Sequence, residues 1–444
     1  MTAIATITDF YRTSFDHLEQ EASKNLPEAV RQLRQTAMDR FEELGFPTTR
    51  MEEWRNTSVE PITRTRFHLA GDGSSVDLPI IEPFRLENSL QVVAADGRFR
   101  PELLRLEGLP PQVEVRGLAE VLANYPESVL PHLGQYADFQ RQAFVALNTA
   151  FLSDGIFIRV PPGTVLERPI HVIHFTAPDG RPTRTHPRTL VLAGENCQLT
   201  VLEHYAGHPG RPAFTNAVTE IVAGARSVID YVRVQQEPDD ASHVGTVHTH
   251  QEADSRVALH AVTLSGGLVR NDVNAVLKGE GAEIAMNGLY LVKGHQHVDN
   301  HTRIDHVAPH CTSIENYKGI LDGQGRAVFN GRIVVHPHAQ KTNAAQSNKN
   351  LMFSDKALVN TNPQLEIYAD DVKCTHGAAV GQIDEEAIFY LLSRGIDRMT
   401  AQSLLIHGFT QEIIAMIRIA TIRQAVNNLV AGWLANGRVP SEQA

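Results

Sequence analysis

Cys374 and His376 stand two residues apart in Asp370-Asp371-Val372-Lys373-Cys374-Thr375-His376-Gly377, just after a strand-like run. On an extended strand alternate side chains share a face, so a thiol and an imidazole would project together. That pairing of sulfur and nitrogen suits a transition metal or an iron–sulfur species. The same pair would serve equally as half of a site that another protein completes. A second concentration lies upstream, where His248, His250, His295, His297, His301, His306 and His310 precede Cys311. Several are two apart on strand-like runs, a spacing open to metal ligation. With 21 histidines in the chain, clustering arises easily, and no zinc-finger or His-Glu-x-x-His spacing occurs. Hydrogen-bonded or surface histidines are therefore the favoured reading of this cluster. Cys197 and Cys311 read as small buried hydrophobes.

The elements that must position these groups change character along the chain. Residues 9 to 44 have helical spacing at Leu18, Leu26, Val30, Leu33, Phe41 and Leu44, with a break expected where Asn25 and Pro27 flank Leu26. Residues 1–65 are read as an N-terminal helical region and 66–150 as a mixed connecting region punctuated by prolines. From about Phe151 short strand-like runs take over, each bounded by Gly, Pro, Asn or Asp. Turn-plus-strand units begin at Gly194, Gly224, Ala253 and Gly279, a quasi-period of 26 to 30 residues. Such a period points to a mainly β solenoid, a parallel β-helix core over 151–382, whose open ends must be capped by the flanking helical parts. Residues 383–444 are read as a C-terminal helical domain. A helix follows Asp384-Glu385-Glu386, another runs from Thr400 as N-cap to His407 with Gly408 past its end, and a third begins after Thr410. The stripe of Ile413, Ile414, Ile417, Val426, Leu429, Val430 and Trp433 is broad for so small a unit, which fits a partner surface.

Composition removes several functions. The 444 residues are 42% hydrophobic with a formal charge of −11, enough for a large core and against a nucleic-acid or anionic-membrane binder. Three widely spaced cysteines suit a reducing compartment, and with no secretory leader or apolar stretch of membrane length the expectation is cytoplasmic. Walker A, Gly-x-Gly-x-x-Gly and nucleophile-elbow patterns are lacking, so nucleotide handling falls to another subunit.

Motifs spread over most of the chain then add a resemblance. Glu52-Glu53-Trp54-Arg55, Ala146-Leu147-Asn148-Thr149-Ala150-Phe151, Gly279-Glu280-Gly281-Ala282, Gly288-Leu289-Tyr290, Gln296-His297-Val298-Asp299-Asn300-His301-Thr302, Tyr317-Lys318-Gly319 and Ala339-Gln340-Lys341-Thr342 occur in order. After them come the long run from Asn362 to Ala378, then Ser393-Arg394-Gly395-Ile396 and Leu404-Leu405-Ile406-His407-Gly408-Phe409. The sequence thus resembles the SufB/SufD family of iron–sulfur cluster assembly proteins, the SufD branch being the nearer.

The resemblance implies a right-handed parallel β-helix flanked by helical regions, and a scaffold rather than an enzyme. It implies pairing with a SufB-like paralogue through the end of the β-helix and binding of a SufC-like ATPase through the C-terminal helices. The cluster would be transient and shared with the partner, with none held by the isolated chain. His376, in the Lys-Cys-x-His-Gly motif, is the implied interface ligand, with Cys374 the secondary one. A surface made to pair with a close relative could also pair with itself. Two other readings stay open. One is a metal-dependent hydrolase or lyase using His297 and His301 with Asp299 and Asp305, since parallel β-helices also carry polysaccharide-acting enzymes. The other is a purely structural subunit.

Overall fold

In the computed structural model the described residues are 2–22, 26–71, 78–177 and 180–436. Two helices lie where the N-terminal periodicity placed one broken helix: α1 (Thr2–Ala22) and α2 (Glu28–Leu44), with Pro27 at the start of the second. Asn25 lies outside the described residues. Ile7, Tyr11, Phe15 and Leu18 form one buried stripe on α1, and Val30, Ala37, Met38 and Phe41 another on α2. Most of both stripes packs with Phe144 of α3 (Ala143–Ala150) against Phe214, Val244 and Leu268.

The body of the molecule is a parallel β-solenoid of about seven turns. Along the solenoid body from Gln198 each coil gives one strand to each of two sheets, so consecutive strands there do not pair and every partner lies one coil away. From Gln198 onward registered partners are 26 to 32 residues apart, as in Val228 with Arg256 and Ser313 with Ala344. The turns explain the quasi-period. Asn196, Arg226, Asp254, Gly281, His310 and Lys341 all take φ between 55° and 71°, and each donates its N–H to a carbonyl of the next coil's turn. Stacked left-handed corners of this kind favour Gly, Asn and Asp, which is why the repeat was visible in composition.

The ends are closed differently from expectation. At the N-terminal end, Arg98–Phe99 pairs antiparallel with Leu90–Ala95 and Glu114–Gly117 antiparallel with Ile156–Val160, while Leu104, Leu106 and Leu109 pack on the interior core. Neither helical part caps the C-terminal end. Instead α5 (Arg398–Ile414) and α6 (Ala420–Asn436), which follow α4 (Glu385–Ser393), lie back on a flank built from Leu202, Val232, Val234, Val262, Leu289, Leu291 and Ile320. That flank is aliphatic at successive coils, so covering it with the helices takes a continuous apolar surface out of water.

The helix boundaries also move. α5 is capped by Asp397, whose side chain accepts from the Thr400 N–H at 3.0 Å, and it runs straight through Gly408. A glycine inside a helix costs about 1 kcal/mol. Burial of Ile406, Ile413 and Ile414 outweighs that, each being worth about 1.5–3 kcal/mol. The expected third stripe is therefore split, with Ile413 and Ile414 on α5 and Ile422, Val426 and Val430 on α6. No helix among the described residues is long and apolar enough to cross a membrane.

Candidate functional site at the open end of the solenoid

Lys373–Gly381 is the last strand of its sheet, and its neighbour in the other sheet, Leu358–Ile367, is last as well. Both therefore present an edge with no strand beyond it. Leu358, Ile367, Tyr368 and Val380 are 49%, 42%, 62% and 50% exposed there, an apolar fringe on unpaired backbone. Edges of this kind are normally blunted or covered. Leu358–Ile367 carries Pro363, which has no N–H to offer, whereas Lys373–Gly381 has no proline and leaves its outer edge free.

The register sets what this edge displays. Cys374 pairs with Ala344 and His376 with Gln346, both buried. Cys374 and His376 thus share one face, as expected from the spacing. Cys374 is half-buried and packs on the last layer of the interior core, and burial pushes its thiol up from the ordinary cysteine range. His376 stands exposed at the rim. A thiol held protonated is the poorer ligand at neutral pH, so of the two the imidazole is the readier donor. Lys341 and Asp371 form an ion pair at the turn leading into the strand, and the Asp371 N–H donates to Gln340 Oε1 at 2.9 Å. Beneath His376 in the same column stand Gln346 and then Glu315, which sequence reasoning passed over. The coil offset of about thirty residues, taken backwards from His376, was the signal that would have found them.

The other cysteines and the histidine cluster lie away from this edge strand. Cys197 and Cys311 are buried, and burial raises the Cys197 thiol to about 11. His310 is one of the left-handed corners, and His306 is an interior side chain bonded to Ser313 Oγ at 2.8 Å. His250 rests on the Tyr136 ring, and His295 is exposed in a turn. His248 is buried enough to be pushed down to about 4. His297 lies 2.9 Å from Thr57 Oγ1, and His301 lies 3.1 Å from Asp299. Asp299, 1% exposed, also accepts from Arg270 at 2.7 Å and from Thr57 at 2.5 Å. Asp305 is taken up by Arg303 and His336. Asp299 and His301 line an open polar cleft with Glu52 and Glu53, but Asp305 is not part of that lining and Asp299 Oδ2 is held by Arg270 and Thr57, so the expected Asp299–Asp305 pair does not converge there as a hydrolytic centre requires. Asp299 and Arg270 latch the Glu52–Trp54 turn: Arg270 donates to the Glu53 carbonyl at 2.8 Å, and its guanidinium lies 4.3 Å from the Trp54 ring centroid. Among the described residues no group of three or more His, Cys, Asp and Glu could hold a metal ion.

A second exposed surface lies on the C-terminal helices. Phe389 and Tyr390 of α4 and Met399 and Leu404 of α5 are 72%, 58%, 64% and 50% exposed. A groove between α5 and α6 runs past Met399, Leu404, His407, Gln424 and Leu434.

Comparison with known proteins gives two matching family models. One, described as the SufBD core domain of the SUF iron–sulfur cluster assembly system, matches residues 175–409, and one for the SufBD N-terminal region matches residues 1–172. A SufBD family iron–sulfur cluster assembly protein of Synechocystis is 34% identical over 408 residues, 90% of each chain. The iron–sulfur cluster assembly protein SufD of Escherichia coli is 31% identical over 422 residues, 94% of this chain and 95% of its own. SufD of Bacillus subtilis is 25% identical over 291 residues, 64% of this chain and 65% of its own.

Proposed function

Because this chain belongs to the SufBD family of iron–sulfur cluster assembly proteins and is SufD-like by homology, we propose that it is a non-enzymatic scaffold subunit that contributes half of an assembly site. The half-site is the bare end of the solenoid. Its other half comes from a SufB-like paralogue docked end to end, and the nascent cluster is the shared cargo. His376 is the ligand this chain offers, with Cys374 as the secondary one. The observation that carries the reading is that the one strand edge bearing a thiol and an imidazole on a common face is also left unpaired and fringed with apolar side chains. Burying such an edge against a second solenoid would satisfy its backbone groups and remove that fringe from water.

Iron favours imidazole and thiolate, and a cluster that must be passed on is better held by two subunits that can part than by one closed cage. The exposed aromatic and aliphatic side chains of α4 and α5 supply the docking surface for a SufC-like ATPase. Because α5 packs on the same solenoid that carries the site, movement of the ATPase could be transmitted to the interface. In this reading the protein works in the cytoplasm and carries no cluster in isolation.

The test is reconstitution of the three-protein complex with His376→Ala. Cluster yield, followed by visible absorbance and iron content, should fall several-fold while co-purification with the ATPase is unchanged. Leu404→Asp should do the reverse, releasing the ATPase and leaving the isolated chain folded. An unaltered yield with His376→Ala refutes the ligand role.

A further inference from the structure

One inward column of the solenoid runs through Tyr231, Leu259, Met286, Glu315, Gln346 and His376, each registered on the next. It is apolar through Leu259 and Met286 and then turns polar two coils before the open end. Glu315 has no exposure at all, and burial pushes its carboxyl up to about 7 despite the hydrogen bond from Gln346 that lowers it. Burying an acid in a solenoid core costs several kcal/mol, with no gain to the packing of this column. Its firm partner is Gln346, whose Nε2 donates to Glu315 Oε2 at 2.6 Å. A second feature serves the same side chain from the opposite sheet. A Cβ at Gly331 would stand 2.2 Å from Gln346 Nε2, so the missing side chain there makes the room the amide occupies.

A carboxylate only accepts, so it fixes which end of the amide faces it. Gln346 Nε2 points to Glu315, and Gln346 Oε1 is left on the other side, buried and without a partner. The next residue in the column is His376.

We propose that Glu315 and Gln346 are positioning residues for His376, the Gln346 amide oxygen accepting one imidazole N–H so that the other ring nitrogen keeps its lone pair directed out of the open end. A ligating histidine is oriented in this way when its second nitrogen is held by a carbonyl, which fixes the tautomer and raises the basicity of the free nitrogen. The inference rests on the reading of His376 as the donor at the interface, and it assigns the groups that prepare that donor.

The experiment uses the full-length chain with ¹⁵N-labelled histidine at pH 8, where Glu315 is ionised. The His376 signals are those lost in His376→Ala. In the unmodified chain His376 should show one dominant neutral tautomer, and in Gln346→Leu it should relax to the mixture of a free imidazole. Gly331→Ala, which displaces the amide from the facing sheet without altering either partner, should produce the same change. Glu315→Gln should produce part of it, since an amide at 315 no longer dictates which way Gln346 faces. Unchanged tautomer populations in both Gln346→Leu and Gly331→Ala overturn the proposal. In the reconstituted complex Gln346→Leu should weaken cluster retention by about 10–100-fold. If His376→Ala left cluster yield intact, the ligand reading would fall, while the tautomer measurement, made without iron, would still decide the positioning.

Discussion

Asp299→Ala should loosen the N-terminal turn from the solenoid, and the size of the effect follows from the latch geometry. Asp299 is 1% exposed and accepts from Arg270 Nη1 at 2.7 Å and Thr57 Oγ1 at 2.5 Å. The Arg270 guanidinium, beside it at 2% exposure, holds the Asp299 carboxyl well below the usual carboxylate range against the opposing effect of burial. Breaking a buried pair costs about 3–5 kcal/mol because the surviving charge is stranded. Asp272 still pairs with Arg270 at 2.8 Å, which places the loss at the lower end, about 3 kcal/mol.

The chain has two tryptophans, Trp54 in the latch and Trp433 in α6, so Trp433→Phe leaves a fluorophore that reports the latch alone. With a urea dependence of about 3 kcal/mol per molar, a loss of that size moves the Trp54 transition down by about 1 M. The double variant Arg270→Met with Asp299→Leu removes both charges, and it should be less destabilised than the sum of the single variants by about 2 kcal/mol. A Trp54 transition at the same urea concentration in Asp299→Ala, or strict additivity in the cycle, would refute the latch.

Two further outcomes follow. Gly279→Ala places a methyl 2.0 Å from the Ala253 backbone nitrogen, where no side chain can give way, so the chain should lose cooperative unfolding by circular dichroism; a normal melt would contradict the stacked-turn geometry. In native protein a thiol reagent should modify Cys374 and spare Cys197 and Cys311; because the Cys374 thiol is raised, its rate should keep climbing with pH beyond about 8.5, where a free cysteine levels off, and docking of the partner solenoid should protect it. Equal labelling of all three cysteines would contradict the burial of the first two.

Much of the fold was legible in the chain because a solenoid repeats its local chemistry. The left-handed corners recur at Asn196, Asp254 and Gly281, residues that tolerate that conformation, and so the coil length could be read before any pairing was known. The α4 cap was legible for a similar local reason, since Asp384 accepts from the N–H groups of Glu386 and Ala387. α5 was not, because Gly408 signals a stop locally and only contact with the flank overrides it. For the histidine cluster the contacts again come from outside the local sequence. Two-residue spacing puts His297, Asp299 and His301 on one face, but Arg270, one coil away, and Thr57, from the N-terminal region, take up Asp299 between them.

The site divides along the same line. Sequence determined that Cys374 and His376 share a face, because strand geometry alternates every residue, and it determined the family through motifs kept in order along the chain. Tertiary structure decided that this face lies on the last, uncovered rung. The C-terminal helices fold back to the aliphatic flank, where their apolar stripes are buried, rather than over the end of the stack. It also decided what stands beneath His376. Gln346 and Glu315 lie 30 and 61 residues upstream, and only the register of the parallel sheet brings them into one column.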